Sequence, residues 1–159
     1  QDKLIVVILL NVFICLFTFF FMEAVAWFTH KYIMHGFLWV LHRDHHDRSN
    51  DSVFERNDFF FLIFAIPGSV FIIVGSQLGF DFFLFWIGLG ITLYGAAYFF
   101  VHDLFIHQRI KVLKKTKNPY LLAIRRGHKV HHKYLRKEDG ECFGMLLVPL
   151  KYFKFFRNR

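Results

Sequence analysis

HKYIMHGFLWVLHRDHH, residues 30–46, places five of the chain's ten histidines in 17 positions. They read as a pair five residues apart, His30 and His35, followed by the triplet His42, His45, His46. The same order recurs further on, with His102 and His107 forming the pair and His128, His131 and His132 the triplet. No histidine lies outside this double HxxxxH plus HxxHH pattern. At about 100° per residue, His42 and His46 lie about 40° apart on a helix and His42 and His45 about 60°. Each triplet therefore makes one contiguous imidazole face. A pair five apart lies about 140° apart on a regular helix, so its members converge only through local unwinding, a π-bulge, or a reach around a metal from two sides.

Imidazole suits iron, zinc, copper and nickel. A single histidine at an interface is more often a hydrogen-bonding residue than a ligand. Four clusters at two repeated spacings reverse that expectation and point to one shared site holding two metals. Ten nitrogens would give each metal five, leaving one open octahedral position, which is a catalytic rather than a structural feature.

The stretches around these motifs decide where the site sits. Residues 4–22 are apolar except for Asn11 and Thr18, 59–80 carry no charge, and neither do 82–101. Each is long enough to cross about 30 Å of hydrocarbon as a helix. The first is too long for a signal peptide, lacks a basic flank and runs directly into a histidine motif. Nothing before Gly36 breaks that helix. Asp58 stands where a cap for the second span belongs, Pro67-Gly68 predicts a kink, and 79–81 make a hairpin turn. The expected fold is an all-α integral membrane protein, one domain over 1–159, with spans near 4–28, 59–78 and 82–101. Histidine-rich segments 30–58 and 102–142 form its helical cap. Residues 143–150 are too short to span, so the tail is read as interfacial or re-entrant, with a short fourth span as the alternative.

Charge agrees with that layout. The chain is 55% hydrophobic, contains 24 phenylalanines and still carries a net charge of +8. Of the 20 Lys and Arg, Lys3 alone precedes the first span, and the other 19 fall in 31–58 and 102–159. The positive-inside rule assigns both segments to the cytoplasm. Asn118-Pro119 starts a further basic, amphipathic helix expected to reach Lys137, with Gly127 its weak point. The phenylalanine excess is read as lipid-facing surface. Cys15 and Cys142 are too differently placed to suggest a disulfide framework. Among the acids, Glu23 lies two turns before His30 on the same face and is a candidate to support the ligands. So is Asp103, which could orient His102 through its second nitrogen. Asp44 and Asp47 are weaker candidates.

HKYIMHG (30–36), FERND (54–58), YFFVHDLFIHQR (98–109) and HKVHHKYLRKEDGECFGML (128–146) resemble the bacterial beta-carotene hydroxylases of the membrane-bound fatty acid hydroxylase superfamily. The resemblance covers residues 20–147 and maps all ten histidines onto the family's motif. It implies two iron ions, O2 and electrons from a ferredoxin-type donor, with C3 hydroxylation of each β-ionone ring. Beta-carotene would pass through cryptoxanthin to zeaxanthin. The implied partners are an apolar carotenoid, the acidic donor and the lipid bilayer of the inner membrane; nucleic acid is not among them. Zinc could replace iron in a purified sample, but it is redox-inert and could not support the reaction. A fatty acid or sterol hydroxylase, desaturase or carotenoid ketolase would share the scaffold. A metal transporter would place its site near the bilayer midplane, and a bis-histidine haem protein would need only two axial histidines per haem.

Overall fold

The computed structural model describes residues 1–47, 54–111 and 113–153. Among these residues the secondary structure is helical, with no strand. Five α-helices carry the chain: α1 (Asp2–Phe28), α2 (Trp39–His46), α3 (Phe59–Leu78), α4 (Phe83–Tyr98) and α5 (Pro119–His131). Two π-helical segments, Thr29–Phe37 and Phe99–Ile106, continue α1 and α4. The chain divides into two compact units, residues 1–22 with 58–97, and residues 23–57 with 98–159.

The first unit is built from apolar helix. Three stretches are long and apolar enough to cross a membrane: Asp2–Phe37, Arg56–Leu78 and Phe83–Ile106. Phe13, Phe17, Phe20 and Phe21 on α1 and Phe59 and Phe61 on α3 are all exposed. A contiguous apolar surface of that size belongs in lipid. With lipid outside, little hydrophobic force drives helix against helix, so close approach and internal polar contacts take over. At Gly75 a Cβ would stand 2.3 Å from the backbone nitrogen of Phe85, a clash that keeps this crossing for glycine. Buried Asn11 donates from Nδ2 to the Asp81 carbonyl at 3.1 Å, tying α1 to the hairpin turn. Helix α3 runs unbroken through Pro67. Asp58 occupies its cap position in helical backbone conformation without a side-chain cap bond.

The second unit holds all ten histidines. Its apolar cluster is small, with Phe105, Ile106, Ile124 and Met145 at its centre. Asn118 caps α5, its Oδ1 accepting from the backbone N–H groups of Tyr120 and Leu121. Helix α5 stops at His131 rather than at Lys137, because the chain turns there and presents the Leu135 carbonyl to His35 Nδ1 at 3.0 Å. Residues 143–150 form no helix, with a bend at 144–146 and a turn at 150. No fourth spanning helix occurs among the described residues. Both cysteines are free thiols.

Candidate metal centre

The two pairs are brought together by the π-helical segments. A helix hydrogen-bonded i→i+5 places residues five apart close to one face. The His107 backbone N–H donates to the His102 carbonyl at 2.9 Å, and Leu38 to Ile33 at 3.0 Å. Ring centroids are then 5.1 Å apart for His30 and His35, and 4.5 Å apart for His102 and His107. The first segment ends in a kink at Gly36, whose φ of −112° and ψ of −125° are not helical. That kink turns the chain into α2, which buries His42, His45 and His46.

Nine imidazoles fall into two groups whose nitrogens all lie within 4.8 Å of one another. The first contains His30, His35, His42, His46 and His131; the second contains His45, His102, His107 and His128. His132 adjoins the second, its Nε2 2.8 Å from that of His128. Each outer i,i+4 pair (His42 with His46, His128 with His132) stays with the HxxxxH pair of its own half. The middle histidine of each triplet, His45 or His131, crosses to the other half's group. The groups abut, with His46 and His132 stacked at 4.3 Å between centroids.

The chemical state of these rings follows from what their other nitrogens face. A carbonyl oxygen can only accept, so an Nδ1 beside one must carry the proton. His30 Nδ1 donates to the Phe143 carbonyl at 2.9 Å, His35 Nδ1 to that of Leu135 at 3.0 Å and His131 Nδ1 to that of Glu141 at 3.0 Å. His42 Nδ1 donates to Asn57 Oδ1 at 2.6 Å and His45 Nδ1 to Glu55 Oε2 at 2.7 Å. His102 Nδ1 lies 3.4 Å from Asp103 Oδ2. In a neutral imidazole each of these six contacts leaves Nε2 with a bare lone pair.

Those lone pairs point at one another. Nε2 to Nε2 separations are 3.1 Å for His30 and His42, for His35 and His131, and for His45 and His102. Facing lone pairs repel unless a proton or a metal lies among them. Protons are disfavoured. Burial, then the neighbouring His35, hold His131 down at about 2. Burial also lowers His42 to about 3, against the opposing effect of its hydrogen bond to Asn57 Oδ1. It pushes His45, His46, His107 and His128 well below the usual imidazole value, with nearby histidines adding to it. A cation is the remaining partner. Two imidazole nitrogens about 2.05 Å from one metal lie about 2.9 Å apart at a right angle and about 3.4 Å apart at a tetrahedral angle. The six Nε2 pairs at 2.8–3.1 Å match the right-angled, octahedral arrangement.

The candidate acids divide. Asp103 faces His102 and also pairs with Arg109 Nε at 3.2 Å. Glu23 is buried, and its Oε1 accepts from the backbone N–H groups of Met145, Leu146 and Leu147 at 2.8–2.9 Å. It anchors the segment whose Phe143 and Glu141 carbonyls orient His30 and His131, so it acts on the rings through that segment. Asp44 accepts from the Arg56 backbone N–H at 2.7 Å. Asp47 closes α2. Sequence reasoning missed Glu55, Asn57 and Arg109. The first two lie within FERND and Arg109 within VHDLFIHQR, so the signal was two residues behind His107 and one turn before α3. The carbonyls of Leu135, Glu141 and Phe143 carry no sequence signal.

A small pocket lined by Ile106, Ile124, Cys142, Gly144, Met145, Leu147 and Val148 lies beside His128. Basic side chains crowd α5 and the segment before it, but Arg125 is taken up internally. Its guanidinium lies 4.1 Å from the Phe105 ring centre and donates to the Phe105 carbonyl at 3.0 Å.

No solved structure matches the chain significantly. Among curated proteins it is 38% identical to a beta-carotene hydroxylase of Pantoea ananas over 139 residues, covering 87% of this chain and 78% of that one. It is likewise 38% identical to a beta-carotene hydroxylase of Pseudescherichia vulneris, over 87% of this chain and 77% of the relative. A chloroplastic beta-carotene 3-hydroxylase of an Oncidium hybrid is 39% identical over 79% of this chain and 41% of its own length. Residues 15–152 match the fatty acid hydroxylase family, and with imidazoles converging as they do, the chain belongs to that family of membrane-bound hydroxylating oxygenases.

Proposed function

We propose that this protein hydroxylates the β-ionone rings of beta-carotene at C3, giving cryptoxanthin and then zeaxanthin. The observation that carries the metal reading is the set of six Nδ1 contacts that leave bare Nε2 lone pairs facing each other. The first metal would be held by His30, His35, His42, His46 and His131, and the second by His45, His102, His107, His128 and His132. Two irons so held supply the redox chemistry with O2 that attack on an unactivated ring carbon requires. Neutral imidazoles keep such a centre cationic, and their outward hydrogen bonds hold each ring in place for it.

The chain's own residues do the rest. Apolar side chains beside His128, among them Ile106, Ile124, Met145, Leu147 and Val148, would meet a ring delivered from the bilayer. Lys111, Lys114, Lys115 and Lys117, with Lys129 and Lys133, give a basic surface suited to an acidic ferredoxin-type electron donor. The distribution of Lys and Arg favours the inner membrane with the histidines on the cytoplasmic side, and the two units act as one hydroxylase domain. Expression in a beta-carotene-accumulating bacterium tests the substrate. Zeaxanthin and cryptoxanthin in the pigment extract support the reading; hydroxylated acyl lipids with unchanged beta-carotene would replace it.

A further inference from the structure

The rings of the two groups are oriented by different chemistry. In the first group the Nδ1 partners are uncharged, namely the carbonyls of Phe143, Leu135 and Glu141 and the amide of Asn57. His46 Nδ1 is buried with no partner among the described residues. In the second group His45 faces the Glu55 carboxylate at 2.7 Å and His102 the Asp103 carboxylate at 3.4 Å. Arg109 reaches both, with Nη2 3.3 Å from Glu55 and Nε 3.2 Å from Asp103. One guanidinium thus sits between two carboxylates, offsetting their mutual repulsion and holding both behind the second group.

We propose that this asymmetry makes the two metal positions unequal, with the carboxylate-backed position of His45 and His102 holding its ion more tightly. A carboxylate draws the Nδ1 proton toward itself and makes the opposite nitrogen a stronger donor to metal; a carbonyl orients the ring with much less of that effect. The charge of Glu55 and Asp103 adds a direct attraction for a cation in surroundings where screening is weak. Glu55 and Arg109 are positioning residues here, since they act through the rings. The inference rests on the two-metal reading given above.

The test uses the full chain in native membranes, loaded with ferrous iron without oxygen and titrated with a chromogenic ferrous chelator. Bound iron per chain is counted first. Wild type should hold two irons and release them in two steps, separated by about 10–100-fold in chelator concentration. Glu55→Gln keeps an acceptor for His45 but removes the charge, and should weaken the tight step by about that factor until the steps merge. Asn57→Asp places a carboxylate behind His42 and should tighten the weak step while leaving the other unmoved. A single release step in wild type, or a tight step unchanged in Glu55→Gln, would overturn the inequality with two irons still bound. Fewer than two irons per chain in wild type would instead overturn the two-metal reading, and the inequality with it.

Discussion

The unit of residues 1–22 and 58–97 and the unit carrying the histidines solve opposite problems. The first shows a broad apolar surface, with Phe13 and Phe20 each over 60% exposed, and keeps its inside narrow with glycine. The second has a small apolar cluster and an interior of imidazoles, each of six pinned by its own acceptor. In the first, order depends on how closely backbones approach. In the second, it depends on where individual protons sit. Tolerance to substitution should therefore be broad outside the apolar helices and almost absent among the histidines.

The sharpest contrast comes from the histidines. Replacing any one of His42, His46, His128 or His132 by Ala should abolish zeaxanthin formation and lower iron content while the protein stays in the membrane. Each belongs to an i,i+4 pair directed into one group. Full activity in any of the four would break the view that the histidines act as one site.

Gly75 tests the other unit. Gly75→Val drives a side chain into the Phe85 backbone, so the hairpin must shift at a cost of about 1–3 kcal/mol or more. Thermal unfolding in detergent should register that loss, with membrane yield falling alongside. An unchanged unfolding temperature would mean that this crossing does not organise the unit.

Acid should separate the units by kind. The folded-state values of His42 and His131, at about 3 and about 2, lie below the ordinary imidazole value of about 6.5. Above pH 6.5 both folded and unfolded chains carry these rings neutral, so stability is insensitive to pH. As pH falls from 6.5 toward 3, the unfolded chain takes up protons that the folded chain refuses. Each such ring then costs about 1.4 kcal/mol per pH unit. Bound metal should leave over the same range, since protons compete for the same lone pairs. Unfolding temperature and iron content of the purified protein between pH 7.5 and 5 check this, and flat profiles would contradict the buried neutral rings.

A graded effect is expected at Glu23. Glu23→Gln retains an acceptor oxygen but loses the charge that three backbone N–H groups now share. The Phe143 and Glu141 carbonyls should lose alignment with His30 and His131, and zeaxanthin formed per unit of membrane protein should fall about 10–100-fold. The smallest effect should be Phe17→Leu on the exposed face of α1, within about 0.5 kcal/mol. A loss comparable to that of Gly75→Val would show that this face is packed rather than lipid-facing.

Periodicity and composition reveal most of the layout because their physical causes are local. The three spans follow from unbroken apolar length, and the need for a distorted helix follows from two histidines five apart, which the π-helical segments satisfy. Asn118 and Pro119 start a helix as their backbone preferences require. The end of α5 is not legible in the sequence because its apolar and basic pattern continues past His131. What stops the helix is the use of the Leu135 carbonyl by a ring 100 residues earlier in the chain.

The sequence by itself determined that ten histidines, in two copies of one spacing, stand beside apolar spans. It did so because spacing on a helix and apolar length both act within one segment. Only the tertiary structure decided how the rings are shared, since nothing in an HxxHH triplet says that its middle member crosses to the other half's group. It also decided which Nδ1 faces a carbonyl and which a carboxylate. Those acceptors come from Phe143, Glu141, Leu135, Asn57 and Glu55, at separations of 10 to 113 residues. A hydrogen bond across such a distance exists only once the chain has folded, and it is this bond that sets the lone pair on the far side of the ring.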